Sequence, residues 1–234
     1  MYFVFPSFIT ILMYLYLFTG KGDNRDGTKC GSFVRGDRFG QSDYCRNDHD
    51  PDFDRSTSTA IFRIDNLHND MKAAVDILRN GIDVYSEETL ENIGVKQMDH
   101  VQELHTFRDV FDCIIPFAQR EGSTPLIDKI KLAANVEGNL NITSEAINLS
   151  KFSAVEAFQE DYKEDRVNDN GLTHYLLNVP SSERKFSRTE TANISKVMAE
   201  AHDSFVDAFE QTTTAEDEFC DIFHDMTIVK MRLR

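Results

Sequence analysis

The carboxyl-terminal segment carries apolar residues at helical spacing without interruption, and this pattern constrains the fold more than any other. It begins at Ser187, which with Glu190 fits a capping box at a helix start. The stripe that follows keeps the period of an α-helix and consists of Ile194, Val197, Met198, Ala201, Phe205, Ala208, Phe209, Thr212, Ala215, Phe219, Ile222, Phe223, Met226 and Val229. We predict one long helix, or two abutting helices broken near 212–214. The stripe is wide enough to face a bundle core.

Shorter helical patterns occupy the chain between residue 57 and that segment. Their apolar residues fall into four groups: Ile61, Ile64, Met71, Ala74, Val75 and Leu78; Leu90, Ile93, Met98, Val101, Leu104, Val110, Phe111, Ile114 and Ile115; Leu126, Ile127, Ile130, Ala133, Ala134 and Val136; and Ile147, Val155, Phe158 and Tyr162. Together with the carboxyl-terminal segment, these groups predict an all-α domain over residues 57–234, a bundle of four to six helices.

Turn and cap residues separate the four groups. Asn80-Gly81 is a good helix stop, and Ser86 followed by two glutamates fits a helix start. Pro116 should end the helix of the second group, because proline cannot donate the hydrogen bond of a helix interior. Pro125 suits the first position of the third helix.

The amino terminus begins with a long apolar run. Residues 2–19 contain no charge, and the first charged side chain is Lys21. This matches the apolar region of a secretory signal peptide, although basic residues are missing before it. We predict a signal peptide over residues 1–20, cleaved near Thr19 or Gly20. Because the run is nearly long enough to span a bilayer, an uncleaved signal-anchor is the alternative.

Residues 21–56 differ from the rest of the chain because they are rich in Gly and Asp and lack apolar periodicity. We predict a loop-like arm ahead of the bundle. The arm ends in alternating acidic residues that begin at Asp48 and resemble calcium ligands. An EF-hand loop starting there needs Gly and Glu where the chain has Phe53 and Thr59. A solvated acidic linker is therefore the better interpretation.

All four cysteines follow the apolar run: Cys30, Cys45, Cys113 and Cys220. An even number of cysteines in an oxidising compartment predicts disulfide bonds. Of the three possible pairings, we prefer Cys30 with Cys45, inside the arm, and Cys113 with Cys220, which would join two long helices. Buried thiols are the alternative.

Three Asn-X-Ser/Thr sequons also follow the apolar run, at Asn141, Asn148 and Asn193. None has proline in the middle position, so each is a possible glycosylation site. The leader, the cysteines and the sequons together predict a secreted, extracellular glycoprotein.

The formal net charge is −15 at pH 7. An acidic chain argues against nucleic acid or an anionic membrane surface as a partner, since both attract basic patches. Membrane contact is expected only if the leader stays uncleaved. The hydrophobic content of 41% is enough for a packed core, which argues against a disordered chain.

The sequence holds no recognised catalytic motif: no nucleophile elbow, phosphate-binding glycine loop or Cys-x-x-Cys. His100 and His105 are five residues apart, so they do not share one helical face as a zinc-binding His-x-x-x-His pair does. His202 and His224 adjoin an apolar stripe, where core-edge histidines are expected. We predict a protein that is not an enzyme and has no cofactor and no metal.

The arm also contains Arg35-Gly36-Asp37, which resembles the tripeptide that integrins bind. In such a site the carboxylate reaches a bound metal ion, the guanidinium reaches an acidic pocket, and the glycine permits a tight bend. Chance is the competing explanation, because a short triplet arises easily in an arm of this composition.

The function predicted from sequence is a secreted protein-binding or effector module with an unknown protein partner. An integrin-directed adhesion ligand or antagonist, acting through Arg35-Gly36-Asp37, is one alternative. A carrier of apolar small molecules is another, because the stripe that includes Phe205, Phe209, Phe219 and Phe223 would suit either a filled core or a ligand cavity.

Overall fold

A computed structural model describes residues 57–115, 119, 122–164, 166–167, 171–179 and 184–233, with two short strands ahead of them. The chain divides into two compact units, residues 1–51 and 52–234. In the first unit, β1 (Phe33–Val34) pairs antiparallel with β2 (Asp43–Tyr44).

Several predictions for the amino-terminal part lie outside the described residues. These are the signal peptide at 1–20, Cys30, Cys45, and the triplet Arg35-Gly36-Asp37. Each stays a prediction. In the part of the chain that is described, no helix is both long and apolar enough to cross a membrane.

The second unit is mostly helical, as the sequence predicts. Its described part contains seven α-helices: α1 (Leu67–Leu78), α2 (Leu104–Ile114), α3 (Thr124–Ala134), α4 (Glu145–Lys163), α5 (Leu172–Leu177), α6 (Arg188–Ala208) and α7 (Thr214–His224). Short 3₁₀ turns lie at Thr59–Phe62, Leu90–Asn92 and Glu137–Asn139, and α7 continues into a π-helical segment, Asp225–Lys230.

A small two-stranded sheet accompanies the helices of this unit. Strand β3 (Lys96–His100) pairs antiparallel with β4 (Leu140–Ser144). The second apolar group is therefore not one helix from Leu90 to Ile115, but a 3₁₀ turn, a strand and then α2. Four of the five β4 residues are buried, so burial does not alternate along this strand, although apolar and polar residues alternate from Leu140 to Thr143.

The helix starts predicted from the capping box at Ser187 and from Pro125 are confirmed. Helix α6 follows Ser187, and the capping box with Glu190 is present. The predicted break between two helices is also confirmed, because α7 starts after Thr213 with a second capping box, formed with Glu216. Helix α3 begins one residue before Pro125, as expected for a first-turn proline.

After α1, the helix end predicted from sequence is confirmed and the helix start predicted from sequence is wrong. Asn80 and Gly81 have φ of 55° and 69°, the left-handed conformation that ends a helix. The helix predicted to begin at Ser86 does not form. Glu87 has φ of 63°, and the segment from Ile82 to Thr89 closes into a loop instead.

The aromatic stripe of the carboxyl-terminal segment is packed against α2. Phe107 on α2 stacks on Phe223 with ring centroids 4.8 Å apart, and Phe205 lies 4.7 Å from Phe223. Phe209 and Phe219 complete the cluster, and every one of these rings is at most 2% exposed. Aromatic rings at these distances make a filled core at this position.

Candidate functional site

The loop from Ile82 to Thr89 is built around the buried carboxylate of Asp83. Its Oδ1 accepts hydrogen bonds from Tyr85 N–H (3.0 Å) and Asn141 Nδ2 (2.9 Å). Its Oδ2 accepts from Ser86 Oγ (3.0 Å) and Thr143 Oγ1 (2.7 Å). A buried carboxylate with four donors is well compensated for its lost hydration. Asp83 therefore ties the loop to β4.

Tyr85, within this loop, is fully buried and donates its hydroxyl to Asp99 Oδ2 at 2.6 Å. Burial and the neighbouring Asp99 carboxyl hold the pKa of Tyr85 well above its usual range, so the phenol stays a donor. The loop thereby donates a hydrogen bond to Asp99 of β3.

A buried lysine on α4 lies at the centre of the site. Lys151 is 0% exposed, and its Nζ donates to Glu103 Oε1 (2.6 Å), His100 O (2.8 Å) and Val101 O (3.2 Å). It also lies 3.2 Å from Asp99 Oδ2. Burial alone would lower the pKa of Lys151, but the two carboxylates outweigh it and raise the pKa, so the ammonium stays charged.

Two carboxylates share this one lysine, which leaves Asp99 incompletely compensated. Burial raises the pKa of Asp99, Lys151 opposes that rise, and Glu103 adds to it, giving a pKa of about 7. The proton content of the network therefore changes near neutral pH.

A pocket of about 480 Å³ adjoins the network, lined by α2, α4, β3 and the segment before α1. Its volume falls within the range of small-ligand sites, about 300–1,000 Å³. Asp99 and Glu103 line its inner side, and Leu149 and Phe152 of α4 contribute apolar surface. We call this cavity the α2–α4 pocket.

One cluster of ion pairs bridges the two helices that give the pocket its name. Arg108 Nε donates to Asp109 Oδ1 at 2.7 Å, and Lys163 Nζ of α4 lies 2.9 Å from Asp109 Oδ2. Both basic groups of these helices at the pocket are thus committed to the same carboxylate.

Three buried side chains of the pocket keep a polar atom without a hydrogen-bond partner: Asp109 Oδ2, His105 Nε2 and Gln159 Oε1. Asp109 Oδ2 has Lys163 as its ion-pair partner, so His105 Nε2 and Gln159 Oε1 are the two that remain. His105 is 7% exposed and Gln159 is 2% exposed. Burial lowers the pKa of His105, so its ring is neutral at physiological pH. The ring of Phe152 packs edge-on against the His105 imidazole, with centroids 5.1 Å apart. Eight buried polar atoms lack a hydrogen-bond partner among the described residues, and these two are available to a ligand because their side chains line the pocket.

The predicted glycosylation sites are all engaged in hydrogen bonds to the protein. Asn141 is fully buried and its Nδ2 donates to Asp83, so a glycan on Asn141 is incompatible with this packing. Asn148 and Asn193 are half-buried and donate to Gln97 Oε1 (2.8 Å) and Tyr85 O (3.2 Å). For these two sequons glycosylation stays a prediction.

The predicted bond between Cys113 and Cys220 is not present, and no disulfide occurs among the described residues. Cys113 lies on α2 and Cys220 on α7, two helices that contact each other. Burial raises the pKa of the Cys220 thiol to about 11, which keeps it protonated and unreactive.

The histidines occupy different environments. His100 on β3 and His105 on α2 both line the α2–α4 pocket, and His100 Nε2 contacts Asn135 Oδ1 at 2.9 Å. His202 stacks on Phe223 at 5.3 Å and meets His224 at 5.1 Å, at the edge of the aromatic core. Within the described ranges, no three His, Cys, Asp or Glu residues are grouped as metal ligands.

Comparison with known proteins returned no matching family, no similar curated protein and no similar solved structure. The candidate site is therefore defined only by the residues and geometry of this chain. Sequence reasoning missed its central residue, Lys151, although a signal was present. Lys151 falls four residues after Ile147 and four before Val155, inside the apolar stripe of α4, where a lysine must be buried and paired.

Proposed function

We propose that this chain is a secreted, non-enzymatic binding protein that engages its partner through the α2–α4 pocket. The observation that carries the binding site is the pair of unsatisfied buried atoms, His105 Nε2 and Gln159 Oε1, in one pocket. An unsatisfied buried polar group costs about 1–3 kcal/mol. A ligand that bonds to both atoms recovers that cost on binding.

The outer edge of the pocket supports a contact with a partner. Leu149 and Phe152 are three residues apart on α4, and they are 46% and 39% exposed. Partly exposed aromatic side chains beside a pocket are typical anchor points of binding interfaces. The secreted location rests on the apolar run at 2–19 and the half-buried sequons Asn148 and Asn193.

A non-enzymatic role fits the chemistry of the charged network. Lys151 is the strongest candidate for a nucleophile, but its ammonium is fully buried and bonded to protein oxygens. A charged, enclosed amine cannot attack a substrate. Its contacts to β3 support a positioning role instead.

The test is site-specific photo-crosslinking. A photoreactive benzoylphenylalanine replaces Leu149, and in a matched control it replaces Leu132, which is 68% exposed on α3. Each protein is incubated with extracellular fluid or intact cells. We expect a discrete crosslinked partner from position 149 only, and its loss when Phe152→Ala is added. Equal crosslinking from both positions, or none from position 149, contradicts the proposal.

An integrin-directed role through Arg35-Gly36-Asp37 is the second candidate. In the sequence the triplet follows β1 and precedes β2, and these two strands pair with each other. Integrin-dependent cell attachment to the wild-type protein, abolished by Asp37→Glu, is the expected result. The filled aromatic core weighs against the carrier of apolar molecules at that position.

A further inference from the structure

We propose that the group bound in the α2–α4 pocket is an organic cation, a protonated amine attached to an apolar body. This inference rests on the proposed binding function and adds the chemistry of the ligand.

The first reason is the charge left over after internal pairing. Arg108 and Lys163 share the carboxylate of Asp109, which leaves one positive charge. Lys151 is shared by Asp99 and Glu103, which leaves one negative charge, so the two clusters cancel.

Glu156 and Glu160 of α4 also line the pocket and are exposed, and neither side chain has an ion pair within the described part of the chain. Arg63, also exposed, is the one lining cation in that part without such a pair. Two free carboxylates against one guanidinium favour a positively charged ligand and repel an anion.

The second reason is the hydrogen-bonding character of the buried atoms. Gln159 Nε2 already donates to Thr106 Oγ1 at 2.6 Å, so the unpartnered Oε1 can only accept. The neutral His105 ring offers one nitrogen as an acceptor. An ammonium group has three donors and no acceptor, and so complements this pair.

The third reason is the apolar surface next to these polar atoms. Phe152 contacts the His105 ring and remains partly exposed, and Leu149 lies one turn earlier on α4. An aromatic ring attracts a nearby cation by about 0.5–2 kcal/mol, and both side chains can cover an apolar body. The pocket is thus suited to an arylalkylamine or to the side chain of a lysine.

The test uses three small probes of one shape in calorimetric titrations of the intact protein: phenethylamine, phenethyl alcohol and phenylacetate. We expect phenethylamine to bind at least tenfold more tightly than the neutral alcohol, and phenylacetate not to bind. Glu156→Gln combined with Glu160→Gln should weaken amine binding about tenfold or more, which corresponds to about 1.4 kcal/mol. The matched variant Glu87→Gln with Glu88→Gln removes two exposed charges that do not line the pocket and should leave the affinity unchanged.

Two sources of the amine are separated by a further probe, the Nα-acetyl methylamide of lysine. If this probe binds and also prevents crosslinking of the partner from position 149, the amine belongs to a lysine of that partner. Binding of phenethylamine alone assigns it to a free small molecule.

The inference is overturned if the alcohol binds as tightly as the amine, or if the double Glu→Gln variant keeps full amine affinity. A partner that crosslinks from position 149 without any amine binding rejects the inference and leaves the binding function standing. Amine binding without a crosslinked partner supports the inference, with a free small molecule as the ligand. That outcome rejects a protein partner at this pocket.

Discussion

Replacing Lys151 with methionine is expected to destabilise the protein by about 3–5 kcal/mol, the usual cost of removing one partner from a buried ion pair. Methionine keeps most of the side-chain volume, so little of this loss comes from a cavity. The loss comes from Glu103 and Asp99, which stay buried without their shared cation, and from the carbonyls of His100 and Val101, which lose their donor.

Protonation limits the size of the effect. Asp99, with a pKa of about 7 in the wild type, can take up a proton when the lysine is absent. The penalty should therefore be smaller at pH 5 than at pH 8. The two carbonyls have no such escape, because a carbonyl oxygen does not take up a proton in this pH range.

Thermal unfolding followed by circular dichroism measures the change. For a domain of this size, 3–5 kcal/mol corresponds to a decrease in Tm of roughly 6–20 °C. Lys196→Met is the surface control, because this side chain is 76% exposed and 3.9 Å from Glu200. It should change stability by no more than about 0.5 kcal/mol.

A rescue variant keeps the test informative if the single variant does not fold. Combining Lys151→Met with Asp99→Asn and Glu103→Gln removes every charge of the network and should recover most of the stability. A single variant within about 1 kcal/mol of wild type, or a triple variant no more stable than the single one, would refute the reasoning.

Three further changes probe other features. Burial would raise the pKa of Glu216, but hydrogen bonds from Lys129 and from the backbone at the start of α7 lower it to about 2. Wild-type stability should thus fall as pH drops from about 4.5 to 2, and acid unfolding of Glu216→Gln should lack that loss. Gly171→Ala should cost at least about 2 kcal/mol in denaturant unfolding, because φ is 54° and the new Cβ would lie 2.7 Å from a carbonyl oxygen. Gly122→Ala, with nothing within 4 Å, is its control. The raised pKa of Asp99 adds stability that is complete at low pH and is lost as pH rises through about 7. The penalty of Asp99→Asn, relative to wild type, should therefore be larger at pH 5 than at pH 8.

The helices were predictable where their signals are local. Ser187 and Glu190 stand three residues apart, as do Thr213 and Glu216, and each pair forms its capping box. Such contacts depend on neighbouring residues only, so the sequence alone contains them.

The sheet was not predictable, because its residues are stabilised from far along the chain. Asp99, Asn141 and Thr143 are polar and yet buried, and they owe that burial to Asp83, Tyr85 and Lys151 in other segments. The alternation from Leu140 to Thr143 is a strand signal of only four residues, and hydrophobic periodicity cannot reveal that its polar side chains are buried and paired.

The pocket was partly predictable. A lysine inside the apolar stripe of α4 indicates a buried ion pair, but which carboxylates complete it depends on the packing of β3 against α4. The unsatisfied atoms of His105 and Gln159 are visible only once α2 and α4 are placed side by side.

Strands β3 and β4 have a consequence for the order in which the chain folds. Helices α2 and α3 lie between them in the sequence, so the two strands are not a hairpin. Bringing the two strands together lowers the chain entropy before any strand hydrogen bond can offset that loss. Helices, in contrast, form from local contacts within about a microsecond. We expect the sheet to close late, after α2 and α3. Until the sheet closes, we expect Asp99 and Lys151 to stay hydrated. Desolvation of these two charged groups would then contribute to the last free-energy barrier of folding.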